Sequence, residues 1–317
     1  MSQPFDHLAK DLQPHYSRFD VANRLLFTGH SHQAWPDAAF EGMHEYETTV
    51  ARDVDQKWIA AAEKTEILRN YLRRYYDDPD GYWCREQNTH VLMVSWLSSL
   101  DLVRKPVILT TSGEFHSMSR QLRSLAKIGV EPVILDHTED ETLLQSIRSH
   151  LNNRVSAVML SRIYFQTAEI QTRLTEIAAI CRDAGVPLMI DDYHGTNVVP
   201  LSLREAGLED CYLLIGGYKY LQWGEANCFL RFPGNCSLTP LITGWLLRLE
   251  VWINQKTKTG STLMREIKSL RLLHMIRCVS SVRHRLSIFL ISRDSHRRCW
   301  KINIVHKFSS SRSFSRG

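Results

Sequence analysis

The chain has 317 residues, 44% of them hydrophobic, which is enough to bury the core of a large domain plus a smaller piece, and it carries a formal net charge of +5. That charge is not spread evenly: residues 246–317 hold sixteen Lys and Arg against three acids, a net +13, leaving 23 basic against 31 acidic residues, a net −8, in the body. No apolar run approaches the roughly 18 residues of a membrane span, and the seven cysteines (84, 181, 211, 228, 236, 278, 299) are odd in number and lack a C-x-x-C pair, so a membrane protein, a disulfide framework and a zinc ribbon are not expected and a reducing, cytoplasmic compartment is.

In chain order, a polar N-terminus leads to an amphipathic stretch from about Pro36 to Tyr76, whose AAAEKTEILRNYLRRYY portion predicts a long helix. Asn88 and Thr89 then precede the apolar helical run of REQNTHVLMVSWLSSL, a helix N-terminus signature. Six short apolar runs follow: PVILTTSG (106–113), EPVILD (131–136), VSAVMLSR (155–162), VPLMIDD (186–192), CYLLIGG (211–217) and NCFLRFP (227–233). Several are continuous rather than alternating, and helical patterns such as SMSRQLRSLAKIG (117–129) and RLTEIAAICRDAG (173–185) lie between them. Strands buried on both faces read this way, so the expected class is α/β with a mostly parallel sheet covered by helices.

In such sheets ligands bind beyond the carboxyl ends of the strands. Phe115 and His116 follow one run, Asp191, Tyr193 and His194 another, and Tyr218 and Lys219 a third. An amine 28 positions after a strand-end carboxylate is the pairing that a pyridoxal-phosphate enzyme needs: the lysine to bond the cofactor, the acid to keep its pyridine nitrogen protonated. Asp191 and Asp192 both qualify as the acid. Strand alternation sends them to opposite faces, so only one reaches a ring, and Asp191 is preferred. His194 is placed for the cofactor's O3′ or phosphate, and the helix start at Asn88, Thr89 and His90 offers amide donors and a positive dipole to the phosphate. Phe115 is a candidate for stacking on the ring.

These pieces resemble the kynureninase family, within the class V aminotransferase group of fold type I pyridoxal-phosphate enzymes, over roughly residues 20–245. The matching segments are LLFTGHSHQAWPD (25–37), QNTH (87–90), TTSGEFHSMSRQL (110–122), LSRIYFQTAEI (160–170), IDDYHGTNVVP (190–200), GGYKYLQWGEANCFLRFP (216–233) and PLITGW (240–245). The resemblance implies Lys219 as the Schiff-base lysine, Tyr218, Asn88 and Thr89 as phosphate ligands, Asp191 as the pyridinium partner and His194 as an auxiliary contact. It further implies Phe115 as the stacking ring, Ser161 as another polar contact, and Trp245 as a contact delivered across a homodimer interface. It places GHSHQAWP on the substrate side of the site rather than at a metal. The implied reaction is hydrolytic Cβ–Cγ cleavage of a 3-acyl-alanine, an amino-acid substrate of the kynurenine type, to alanine and an aryl acid. A class V aminotransferase or desulfurase activity, or a cofactor-binding but inactive remnant, are the alternatives.

The sequence also departs from that family. Ala226 stands where related sequences have glycine, a crowding problem if the loop after Lys219 needs a positive φ. Nothing after Leu246 resembles the family's small C-terminal domain, which would supply an arginine for the substrate carboxylate. The organisation expected is therefore an N-terminal segment and long helix (1–85), a cofactor-binding large domain (86–245) and an atypical basic tail (246–317). A basic nucleic-acid arm, a disordered extension and an out-of-frame reading all give basic tails. This one keeps Leu, Ile, Trp and Cys while losing acids and turn residues, which favours the out-of-frame reading over nucleic-acid binding.

Overall fold

A computed structural model of the chain describes residues 10–242 and two short strands in the tail. Those strands, β8 (Phe289–Arg293) and β9 (Trp300–Ile304), pair antiparallel with each other. Trp245 and the rest of the basic tail lie outside the described residues.

All six apolar runs form strands: β2 (Val107–Thr111), β3 (Glu131–Leu135), β4 (Val155–Ser161), β5 (Leu188–Asp191), β6 (Tyr212–Gly216) and β7 (Cys228–Phe232). A seventh, β1 (Tyr82–Glu86), was not among them, because YWCRE has no continuous apolar run and abuts the helix-start signal at Asn88. The sheet order is β1-β7-β6-β5-β4-β2-β3. Pairing is parallel from β3 to β6, and β7 runs against both of its neighbours, β6 and β1. β1 is fixed at this end by a buried polar anchor. Arg231 of β7 donates from Nη2 and Nε to Asp78 at 2.6 and 3.0 Å, and the Trp83 indole of β1 donates to the same carboxylate at 2.9 Å.

The continuous runs are explained by helices on both faces. On one face lie α2 (Lys57–Tyr75), α5 (Asp140–His150) and α6 (Leu174–Asp183), packing Leu72, Leu143, Ile147 and Ile177 against Val158, Leu160, Ile190 and Leu213. On the other lie α3 (Thr89–Leu97) and α4 (His116–Leu125), packing Leu92, Trp96, Met118 and Leu122 against Ala157, Met159, Met189 and Leu214. Each fully buried leucine or isoleucine among them contributes about 1.5–3 kcal/mol of transfer free energy. Among the described residues no helix is long and apolar enough to cross a membrane.

The helix expected from Pro36 to Tyr76 is two helices, α1 (Asp37–Asp53) and α2, separated by a 3₁₀ turn at Val54–Gln56. Val54 has φ +45°, ψ −103°, outside the helical region, and breaks the hydrogen-bond ladder without any glycine or proline to announce it.

The loop after Lys219 does require a positive φ at Ala226, +70°. The left-handed region costs alanine about 1–2 kcal/mol, while glycine gives back about 0.4–1 kcal/mol as unfolded-state entropy. Ala226→Gly is therefore expected to raise stability by about 0.5 kcal/mol in a urea titration, and a clear loss would show that the loop is not strained there.

Candidate active site

The carboxyl ends of β2, β4, β5 and β6 and the first turns of α3 and α4 surround a cleft. It is lined by eight of the residues given a role above: Thr89, His90, Phe115, Ser161, Asp191, His194, Tyr218 and Lys219. Asn88 is not brought into the lining. Its side chain accepts a hydrogen bond from Val91 N–H at 2.9 Å and caps α3. Trp245 is outside the described residues.

The period-2 alternation of β5 decides between the two aspartates. Asp191 lies on the face of Met189 and enters the cleft, whereas Asp192 lies on the face of Ile190 and is engaged by Arg162 and Tyr76. Asp191 receives the Tyr193 N–H at 2.9 Å. Burial pushes its carboxyl up to about 6, against the lowering effects of that hydrogen bond and of the Lys219 charge.

Lys219 is only 5% exposed. Burial brings its amine down to about 8, partly opposed by Asp191. Its Nζ lies 2.6 Å from His194 Nε2, 4.8 Å from the centre of the Tyr193 ring and 5.5 Å from that of Phe115. Burial, then the neighbouring lysine charge, lowers His194 to about 4, so at neutral pH its imidazole is neutral and Nε2 accepts from the ammonium. A hydrogen bond with the His30 backbone acts in the opposite sense on His194 and ties the N-terminal segment to the site. His32 of the same segment stacks on Tyr218 with ring centres 5.4 Å apart. Among the described residues no group of three or more His, Cys, Asp and Glu is placed to hold a metal ion.

An amine that titrates near 8 is half neutral at pH 8, where an unperturbed lysine is less than about 1% neutral. Lys219 is therefore expected to react with a small electrophile such as cyanate at pH 8 far ahead of exposed lysines, with an inflection near pH 8 in its labelling rate. Labelling at the same rate as Lys105 and Lys127 would contradict the burial.

The donor set fits a planar, anionic pyridine aldehyde. It offers a nucleophilic amine, an acid facing it across the cleft, the Phe115 ring beside them, and two helix starts whose amides suit a phosphate. Sequence reasoning gave no role to Ser117, Phe165 or Tyr193, which also line the cleft. Gly216 explains the last of these, since a Cβ there would fall 1.8 Å from Tyr193 Cζ and the absent side chain makes room for the phenol.

No family model matches the chain. It is 27% identical over 171 residues to the kynureninases of Xanthomonas campestris pv. campestris strains B100 and 8004, an alignment covering 50% of this chain and 39% of each relative. The chain thus covers about two fifths of the length of the curated relatives it matches. Solved structures with the same fold include an apo cysteine desulfurase from Thermococcus onnurineus NA1 (TM-score 0.59, 15% identity, 77% of this chain and 61% of that one). Another is a C-DES variant with glycine covalently linked to its pyridoxal-phosphate cofactor (TM-score 0.57, 20% identity, 74% and 63%).

Proposed function

We propose that this chain, kynureninase-like in sequence and with the fold of the class V, fold type I pyridoxal-phosphate enzymes, holds pyridoxal 5′-phosphate on Lys219 and cleaves the Cβ–Cγ bond of a 3-acyl-alanine of the kynurenine type. The observation that carries the reading is the buried Lys219 amine, set between Asp191 and a neutral His194 in a cleft walled by aromatic rings.

In this reading Thr89, His90 and Ser117, at the starts of α3 and α4, receive the phosphate. Tyr218, which follows β6, would be a further phosphate contact, and Phe115 would stack on the ring. Asp191, ionised above about pH 6, would pair with the ring nitrogen and keep it protonated. The bound cofactor supplies an electron sink for the substrate's Cα. Lys219, whose amine titrates close to neutrality, takes the Cα proton and returns one later, and the neutral His194 beside it accepts a hydrogen bond from the ammonium form. Water added at the γ-carbonyl then completes the balance: 3-acyl-alanine plus water gives alanine plus the aryl acid. The aromatic lining, Phe115 with Phe165 at 5.1 Å and Tyr193 with Tyr218 at 5.2 Å, suits a flat aryl side chain.

A desulfurase-like or aminotransferase-like activity shares the same lysine and acid, and the fold of the solved neighbours supports it. None of the five described cysteines lines the cleft, which leaves sulfur transfer without a thiolate there among the described residues. A homodimer, with Trp245 contributed by the partner, belongs to the same proposal, as does a small-molecule amino-acid substrate.

The test is product release from kynurenine and 3-hydroxykynurenine with cysteine as comparator. The proposal expects alanine and the aryl acid from the first two. Sulfur release from cysteine alone would favour the desulfurase reading, and cofactor uptake with no product from any of them would favour an inactive remnant.

A further inference from the structure

Glu114 is a buried acid that the proposed chemistry does not use. It follows β2, is 4% exposed, and its carboxylate collects three donors: Thr111 Oγ1 at 2.5 Å, Ser161 N at 3.0 Å and Ser161 Oγ at 2.7 Å. Ser161 ends β4, lines the cleft, and is the register partner of Asp191 on β5. Glu114, Ser161 and Asp191 thus form a row along the carboxyl edge of the sheet, with Tyr164 the other titratable group that senses Glu114.

A serine hydroxyl has one proton and two lone pairs. Because Ser161 donates that proton to Glu114, only lone pairs remain for the cleft. The wall beside Asp191 is therefore an acceptor: it attracts a ligand O–H or N–H and repels a phosphate oxygen.

We propose that Glu114 is a positioning residue that locks Ser161 as a hydrogen-bond acceptor toward the bound ligand and so fixes which end of the cofactor lies against Asp191. This rests on the cofactor reading above. Glutamine at 114 has the same shape, but its amide N–H would donate to Ser161 Oγ and turn the serine proton into the cleft. Burial, partly offset by the three donors, raises the Glu114 carboxyl to about 7, so the lock also weakens as pH falls through that value, while Asp191 titrates near 6 and Lys219 near 8.

The experiment measures the dissociation constant of pyridoxal 5′-phosphate from apo protein between pH 6 and 8.5, for wild type, Glu114→Gln, Ser161→Ala and the double variant. A lost charge-assisted hydrogen bond corresponds to a weakening of about tenfold. We expect that loss in Glu114→Gln and in Ser161→Ala at pH 8, and no further loss in the double variant. The wild-type affinity should fall between pH 8 and 6 by a step that both single variants lack. Glu114→Gln binding within about twofold of wild type with the same pH profile, or losses that multiply in the double variant, would overturn the proposal. If Glu114→Gln does not fold, Ser161→Ala decides by itself: an unchanged pH step overturns the lock. Wild-type protein that takes up no cofactor would overturn the proposed function and this inference together, whereas loaded wild type with an indifferent Glu114 overturns the inference alone.

Discussion

Asp192→Ala is expected to cost about 3–5 kcal/mol of stability. Asp192 is completely buried. It accepts from Arg162 Nε at 2.5 Å and Nη2 at 3.2 Å and from the Tyr76 hydroxyl at 2.7 Å. Arg162 also donates to the carbonyls of Val199 and Pro200, at 2.7 and 3.4 Å, so the pair clamps the loop that carries His194. Removing the carboxylate strands a guanidinium out of water, and with folded domains stable by only about 5–15 kcal/mol a large fraction of that margin goes. Arg162→Ala should cost a similar amount. The double variant should cost clearly less than the two losses added, because neither charge is then left alone. Denaturant titration of the apo protein checks this, and additive losses would show that the two residues act separately.

Lys219→Ala carries the largest chemical effect. The amine is the cleft's only described group placed both to bond an aldehyde and to move a proton at the substrate's Cα, so alanine release is expected to fall by at least about a thousandfold. Stability should change little, because the lysine makes one hydrogen bond, to His194, and its burial lowers its own pKa rather than supporting the fold. Lys219→Arg should be as inactive, since guanidinium neither loses its proton near neutrality nor bonds an aldehyde in the same way. Steady-state kinetics of alanine release compare the three proteins, and residual activity in Lys219→Ala near wild type would remove the lysine from the chemistry.

Much of this was legible in the sequence for a physical reason. Strands buried on both faces leave continuous apolar runs, and the carboxyl ends of three of those runs were followed by Phe115, Asp191 and Lys219, so topology alone brought them to one edge. The separation of Asp191 from Asp192 followed from strand alternation. What was not legible depends on side chains distant in sequence. Val54 breaks α1 from α2 through a backbone angle that its residue type does not signal. β1 owes its place to Asp78, Arg231 and Trp83 meeting across the sheet edge. Asn88 read equally as a cap or a phosphate ligand, and its bond to Val91 uses its side-chain oxygen as the cap. Glu114 sits next to the expected stacking residue, yet nothing in SGEFHS distinguishes a solvated glutamate from one buried under Ser161.

That Lys219 holds pyridoxal 5′-phosphate is checked by incubating the wild-type chain with the cofactor at neutral pH, reducing with borohydride and mapping the modified peptide by mass spectrometry. One cofactor per chain is expected, on the peptide containing Lys219. Modification absent there, or spread over exposed lysines such as Lys105 and Lys127, would contradict it.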